Sequence, residues 1–302
     1  MKKQEDPKER DLWNSIPKLE VAERGQTYFD LSLMAFENGQ HTKSLALAES
    51  ACDCFREKAD EVGLANCQTS IAFNLYQLGR KPEAIRALIR AVVSYAKASD
   101  IQEWEYRAYL AEWLRESDEP DLALLQLERC LDYYSHENAT YAITQILSQI
   151  ADLLCDLDRC QEALTHLHRA RTIYKEERDP MLVGTTDIEI ARCSNHIDDS
   201  TTAKSFALKA IGVFDSSNNQ MKRAQSYSQL GRALNYEGEF EDALKALDVA
   251  YEIVTNSKPV NFYAVYMIQK AKAHSLLGLG RETEAVVLQR RNAIINETLQ
   301  WE

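Results

Sequence analysis

Glycine and proline are both scarce in this sequence, with 10 and 6 residues respectively among 302. All-β folds need many tight turns, and turns draw heavily on these two residue types, so their scarcity argues against such a fold. The rest of the composition is that of a globular protein, with 45% hydrophobic and 27% charged residues. The chain is therefore expected to fold without a turn-rich β architecture.

Long apolar runs are also missing. No stretch approaches the roughly 18 apolar residues that a transmembrane helix needs, and the charged first ten residues show no signal peptide. The seven cysteines are an odd number in a large chain, which implies no disulfide framework. Reduced thiols are typical of the cytosol, so we expect a cytoplasmic protein.

The formal net charge is −12. Sequence-independent nucleic-acid binding requires a basic surface that releases counterions, and docking on anionic membranes requires one too. We therefore expect no direct nucleic-acid partner and no membrane partner, although a local cluster of basic residues would leave both open. The simplest interpretation of the charge is a well-solvated surface.

A short motif recurs about every 40 residues: a turn residue, a polar stretch and a closing alanine or serine. Clear copies run from Gly79 to Ala84 and from Gly238 to Ala243. The closing small residues stand at 44, 84, 123, 163, 203, 243 and 285. Small residues also recur twelve positions earlier, at Ser32, Ala72, Ala111, Ala151, Ala191, Gly231 and Ala273. Large residues recur eleven positions later, at Phe55, Tyr95, Tyr134, Tyr174, Phe214 and Val254.

Each repeat is expected to contain two helices. Between the small positions, apolar residues recur at the three- and four-residue spacing of an amphipathic helix. Pro82 and Pro120 fall at the start of second helices, where a missing N–H costs nothing. The small residues allow close approach of the two helix axes, and the large residue near the end of the second helix is expected to fill the gap toward the next repeat.

The predicted organisation is a charged N-terminal extension and lead-in over residues 1–21, followed by a single repeat array over 22–302. The seven repeats are expected at about 22–60, 61–100, 101–139, 140–179, 180–219, 220–259 and 260–302. The last helix of the array is expected to act as a cap with a polar outer face, because it has no following repeat to pack on.

The small residues, the glycine turn and the Glu-Ala pair, seen at Ala72, Gly79 and Ala84, resemble the pattern of the tetratricopeptide-repeat (TPR) superfamily. The resemblance covers about residues 22–299 and implies an all-α, right-handed superhelical solenoid of about seven helix-turn-helix repeats. The period exceeds the usual ~34 residues, and the family's proline near the end of the second helix is absent. Both departures imply longer helices, as in bacterial TPR-type regulators and some scaffold proteins.

The resemblance also implies that the first helix of each repeat lines a concave groove and contacts the ligand. The positions that it places on the groove as candidate contacts are Tyr76, Glu112, Arg115, Asp152, Arg192, Asn195, His196, Arg232, Asn235 and Tyr236.

An Arg-x-x-Asn pair occurs in two successive repeats, at Arg192/Asn195 and Arg232/Asn235, and each pair shares a helix face. Arginine can bind a carboxylate through two hydrogen bonds, and asparagine can both donate to and accept from a peptide backbone. The hypothesis is an anchor for an acidic side chain or a C-terminal carboxylate. The alternative is that the arginines form ordinary salt bridges with nearby carboxylates such as Asp152.

Catalytic and metal-binding motifs are missing. There is no Gly-rich phosphate loop, no His-Glu-x-x-His, no paired Cys-x-x-Cys and no nucleophile elbow. Cys52 and Cys54, like His166 and His168, are two residues apart on helices and point in divergent directions, so we expect no metal site. Cys160, beside a turn, is expected to be more exposed than the other cysteines.

We therefore expect a non-enzymatic scaffold or adaptor that needs no cofactor and binds a protein or peptide along its groove. The alternative is a cytosolic regulator that senses a small signalling peptide in the groove and changes conformation to control a partner protein. An active site assembled from distant residues stays open, as does the oligomeric state.

Overall fold

The structure, a computed structural model, describes residues 7–299 except for the side chains of residues 296, 298 and 299. Residues 1–6 of the expected N-terminal extension and residues 300–302 of the expected last repeat lie outside this range. Within it the chain is all-α, with seven consecutive helix pairs and no strand. Backbone contacts divide the chain into two compact units, unit 1 up to Asn138 and unit 2 from Ala139.

Unit 1 contains a short leading helix and three helix pairs. Its elements are α1 (Pro7–Ser15), a single 3-10 turn (Ile16–Lys18), α2 (Val21–Glu37), α3 (His41–Glu57), α4 (Glu61–Gln77), α5 (Lys81–Ala98), α6 (Gln102–Glu116) and α7 (Pro120–His136). Its core lies between successive helices, where Leu31, Phe55 and Tyr95 are buried.

Unit 2 contains the remaining four helix pairs. Its elements are α8 (Thr140–Asp156), α9 (Cys160–Glu176), α10 (Pro180–His196), α11 (Ser200–Phe214), α12 (Gln220–Glu237), α13 (Phe240–Asn256), α14 (Phe262–Gly278) and α15 (Glu282–Leu299). In the described part of the chain, no helix combines the length and the apolar character needed to cross a membrane.

The turn inside each repeat contains one residue in the left-handed backbone region. These residues are Gly39, Gly79, Asp118, Asp158, Asp198, Gly238 and Gly280, with φ between 57° and 79°. In the second repeat the N–H of Arg80 donates to the carbonyl of Leu75 at 2.9 Å, which closes a Schellman-type helix end. Glycine adopts this conformation without strain and aspartate tolerates it. The predicted turn positions are thereby confirmed.

The small positions bring the paired helices close together. Ala72 and Ala84 are fully buried. At Gly231, an added Cβ would lie 2.5 Å from Leu247 Cγ, too close for two carbon atoms. The large positions are buried as well, apart from the half-buried Tyr134. The predicted all-α fold of helix-turn-helix repeats is therefore confirmed.

Replacing Gly231 by alanine is expected to destabilise unit 2 by roughly 1–2 kcal/mol, because the clash with Leu247 outweighs the gain in helix propensity. Gly212 on α11 provides a matched control, since no heavy atom lies within 4 Å of its added Cβ. Alanine there should raise stability by about 0.5–1 kcal/mol. Urea denaturation measures both changes, and a stabilising Gly231→Ala would contradict the close packing.

The last helix departs from the expected polar cap. In the described part of α15, Val286, Val287 and Ile294 are exposed, whereas Asn292 is 7% exposed. The polar residue therefore faces inward and several apolar residues face outward.

Candidate functional site

A cavity of about 690 Å³ opens in unit 2, where residues of α12, α14 and α15 face one another. Three basic side chains contribute to its wall: Arg232, Lys270 and His274. None of its described lining residues is acidic. The wall is therefore cationic, in a chain whose net charge is strongly negative.

Helical spacing explains how these groups converge. Tyr266, Lys270 and His274 follow one another at four-residue intervals, so they lie along one face of α14. Arg232 and Tyr236 share a face of α12 in the same way. Both α12 and α14 are the first helices of their repeats, which is where the groove was expected.

The three basic side chains have no ion-pair partner among the described residues. Arg232 is half-buried, while Lys270 and His274 are exposed. A guanidinium in this setting keeps its hydrogen-bond donors available for a carboxylate. The cavity can therefore receive an anionic group without first breaking a salt bridge of these residues.

Arg192, the other predicted anchor, is already engaged. Its Nη2 donates to Asp152 Oδ1 at 2.8 Å and its Nε donates to Glu189 Oε2 at 2.6 Å. The neighbouring His196 lies 2.8 Å from Asp158 Oδ1 through its Nε2. At Arg192 the structure therefore supports the salt-bridge alternative that the sequence left open.

Both asparagines are buried between first helices, although Asn235 also contributes to the lining of the cavity. Asn195 is fully buried, and its Nδ2 donates to the carbonyl of Gln229 at 3.0 Å. Asn235 is 5% exposed: its Nδ2 donates to the carbonyl of Ala271 at 2.9 Å, and its Oδ1 accepts from Ser275 Oγ at 2.6 Å. Their amides therefore hold α10 to α12 and α12 to α14, and Asn195 Oδ1, which has no hydrogen-bond partner, is buried.

The candidates in unit 1 form a separate surface. Tyr76 stacks on Trp113 with ring centroids 4.5 Å apart, and its hydroxyl donates to Glu116 Oε2 at 2.6 Å. This hydrogen bond to Glu116 raises the pKa of Tyr76 above its ordinary value. Glu112 and Arg115 are exposed on α6. The ring of Tyr76 and the carboxylate of Glu116 thus already have partners within unit 1.

Sequence reasoning missed the contribution of α14 to the cavity. His274 stands at the repeat position of Arg192 and Arg232, and Lys270 stands one helical turn before it, but no candidate was predicted in the last repeat. The four-residue spacing of Tyr266, Lys270 and His274 was the signal that could have identified this wall.

A family model described as soluble NSF attachment protein (SNAP) matches residues 39–172, which is less than half of the chain. Among curated proteins, no sequence matches the chain. The match to this family model therefore covers one part of the repeat region.

Several solved structures are similar over nearly all of the chain. The apo form of RapI has 16% identity and a TM-score of 0.64, with 92% of this chain and 99% of that chain covered. Aspartyl phosphate phosphatase F from Bacillus subtilis has 14% identity and a TM-score of 0.61, with coverages of 98% and 96%. A signal-transduction ATPase with a tetratricopeptide-repeat sensor from Pyrococcus horikoshii has 14% identity and a TM-score of 0.66, with coverages of 95% and 45%. At these identities the likeness concerns the fold.

Proposed function

We propose that this chain, which has the fold of the TPR superfamily, is a non-enzymatic scaffold that binds an anionic segment of a protein or peptide in the cavity of unit 2. The observation that carries the proposal is the unpaired basic wall of Arg232, Lys270 and His274. A C-terminal carboxylate or an acidic side chain is the group that this wall fits.

Each lining group has a chemical role in this proposal. Arg232 can hold a carboxylate through two parallel hydrogen bonds, and Lys270 adds a mobile point charge. Tyr236 and Tyr266 offer apolar rings with a polar tip to the flanking residues of the ligand. Because the chain as a whole repels anions at long range, a concave basic wall also favours binding at this place over the rest of the surface.

The residues that line the cavity support a binding role over a catalytic one. Among the described lining residues there is no serine, cysteine or carboxylate, so His274 has no such nucleophile beside it to activate. The chemistry available at the wall is hydrogen bonding, charge and apolar contact.

A second candidate is a regulator that senses a short free peptide and controls a partner protein. The cavity volume of about 690 Å³ favours it, since small-ligand sites usually occupy about 300–1,000 Å³. Such a peptide would also use the basic wall, so the two candidates differ in the size of the ligand and not in its anchor.

The test compares synthetic peptide libraries that carry a free C-terminal carboxylate with the same libraries capped as amides, using fluorescence anisotropy. We expect binding to favour the free acids and to weaken with salt. Arg232→Ala and Lys270→Ala should each lower affinity roughly tenfold, or about 1.4 kcal/mol. Arg290→Ala, an exposed arginine of α15 outside the cavity, is the control and should change little.

Equal binding of acid and amide libraries would reject a C-terminal carboxylate as the anchored group, and a lack of preference for acidic side chains within the amide libraries would reject the remaining candidate. An equal loss of affinity in Arg232→Ala and Arg290→Ala would reject the cavity as the binding site. If short peptides bind, a rise in melting temperature with peptide concentration supports the sensing candidate. If binding requires the peptide to be attached to a folded carrier, the scaffold candidate is supported instead.

A further inference from the structure

Three cysteine side chains meet inside unit 2, and none of them lines the cavity. Cys155 lies near the end of α8, Cys160 begins α9, and Cys193 lies on α10. Their Sγ atoms are all within 4.8 Å of one another, and those of Cys155 and Cys193 are 2.8 Å apart. Cys160 was expected to be exposed beside its turn, but it is 1% exposed because its side chain points into this cluster.

We propose that Cys155, Cys160 and Cys193 bind one thiophilic metal cation of the class of Zn²⁺ or Cu⁺. Soft thiolate ligands select these ions. Sulfur binds such a cation at about 2.3 Å, which places three sulfurs roughly 4 Å from one another. The cluster approaches that arrangement if Cys155 and Cys193 separate by about 1 Å.

Binding exchanges protons for metal. Three thiols release three protons to solvent, three sulfur–metal bonds form, and no oxidant or reductant takes part. Three thiolates around Zn²⁺ leave one net negative charge, and around Cu⁺ they leave two. No fourth histidine, cysteine or carboxylate joins the group among the described residues. Zn²⁺ would therefore add a water molecule as its fourth ligand, whereas Cu⁺ is satisfied by three sulfurs.

One cationic side chain, the guanidinium of Arg192, lies close to the cluster, where its charge offsets part of the negative charge of three metal-bound thiolates. Arg192 is held in place by the carboxylates of Glu189 and Asp152, so its position does not depend on the metal. The cation thus enters a buried site that already has one fixed positive neighbour.

The three ligands come from consecutive helices, so a bound cation would join two neighbouring repeats. Binding that occurs only in the folded state adds to stability. The added stability would apply to the part of unit 2 that contains Ser194, a buried residue whose hydroxyl has no hydrogen-bond partner. The site is therefore structural in character, separate from the proposed ligand cavity.

The experiment uses the full chain, reduced and stripped of metal. It is titrated with Zn²⁺ and, anaerobically, with Cu⁺, each against a chromophoric chelator. We expect one equivalent per chain for at least one of the two ions. Metal binding should be abolished by each of three single substitutions, Cys155→Ser, Cys160→Ser and Cys193→Ser. Cys130→Ser, a buried cysteine of unit 1, is the matched control and should retain it.

A second measurement needs no variant and so does not depend on whether the variants fold. X-ray absorption of the metal-loaded chain should show three sulfur neighbours, with one additional oxygen for Zn²⁺ and none for Cu⁺. Absence of binding, fewer than three sulfur neighbours, or an equal loss of binding in the Cys130→Ser control would overturn the proposal. So would peptide mapping that finds Cys155 and Cys193 joined as a disulfide in the chain purified without reductant.

Discussion

Replacing Arg171 by methionine is expected to lower the free energy of unfolding of unit 2 by about 3–5 kcal/mol, because it leaves a buried carboxylate without its cation. The Asp187 side chain is 2% exposed, and the Arg171 side chain is 15% exposed. Two nitrogens of the guanidinium bind the two carboxylate oxygens, with Nη2 donating to Oδ2 at 3.2 Å. The pair joins α9 to α10, so its removal weakens the contact between two neighbouring repeats.

Urea denaturation gives the change in free energy, and hydrogen exchange should place the loss of protection in α9 and α10. The double variant Arg171→Met with Asp187→Leu should recover most of the lost stability, since an apolar pair carries no desolvated charge. Arg281→Met is the control, because its ion pair with Glu284 is half-exposed on both sides. It should cost less than about 1 kcal/mol, and equal losses at the two arginines would reject the argument from burial.

The turns and small positions could be predicted because each depends on local chemistry that the chain repeats seven times. A left-handed residue after a helix favours glycine or aspartate, and the sequence shows both at the same position of successive repeats. Buried serines were harder to interpret. Ser32 and Ser44 stand at positions where other repeats have alanine, and their hydroxyls bond each other at 3.1 Å within the packed interface.

The binding site was predicted less well, because a helix face does not reveal which neighbour a side chain meets. Equivalent positions of successive repeats lie side by side, so Arg192 meets Asp152 from the repeat before it. Arg232 stands next in this series, with Arg192 before it and His274 after it. Both neighbours are basic, which explains why Arg232 stays unpaired. Comparing equivalent positions across repeats would have distinguished the two arginines from sequence alone.

The helix–helix contacts of Asn195 and of the cysteine cluster were not predicted, for a related reason. Asn195 bonds Gln229, 34 residues later, and Cys155 meets Cys193, 38 residues later. Neither separation equals the repeat length of about 40 residues, so neither pair can be predicted from the residues that recur at fixed positions of each repeat. These contacts depend on how one first helix is offset along the next, and that offset is set by packing of the whole interface.

Replacing Tyr95 by alanine is expected to lower the free energy of unfolding of unit 1 by about 3–5 kcal/mol, because it removes a fully buried aromatic ring. The ring stacks on Tyr106 of α6 with centroids 5.2 Å apart, so the residue at the end of α5 contacts the next repeat as predicted. Its hydroxyl donates to Asn66 Oδ1 at 2.6 Å. The alanine variant therefore loses packing within its own repeat, packing against the next repeat and one hydrogen bond.

Tyr95→Phe separates these contributions, since it keeps the ring and removes only the hydroxyl. It should cost about 1 kcal/mol, the typical net value of one hydrogen bond. Chemical denaturation measures both variants, and hydrogen exchange should show loss of protection in α5 and α6 for the alanine variant. If phenylalanine costs as much as alanine, the hydrogen bond to Asn66 of α4, within the same repeat, and not the ring accounts for the stability that Tyr95 contributes. The expected order, with alanine far more costly, makes the ring of Tyr95 the main contribution of this side chain to the contact between α5 and α6.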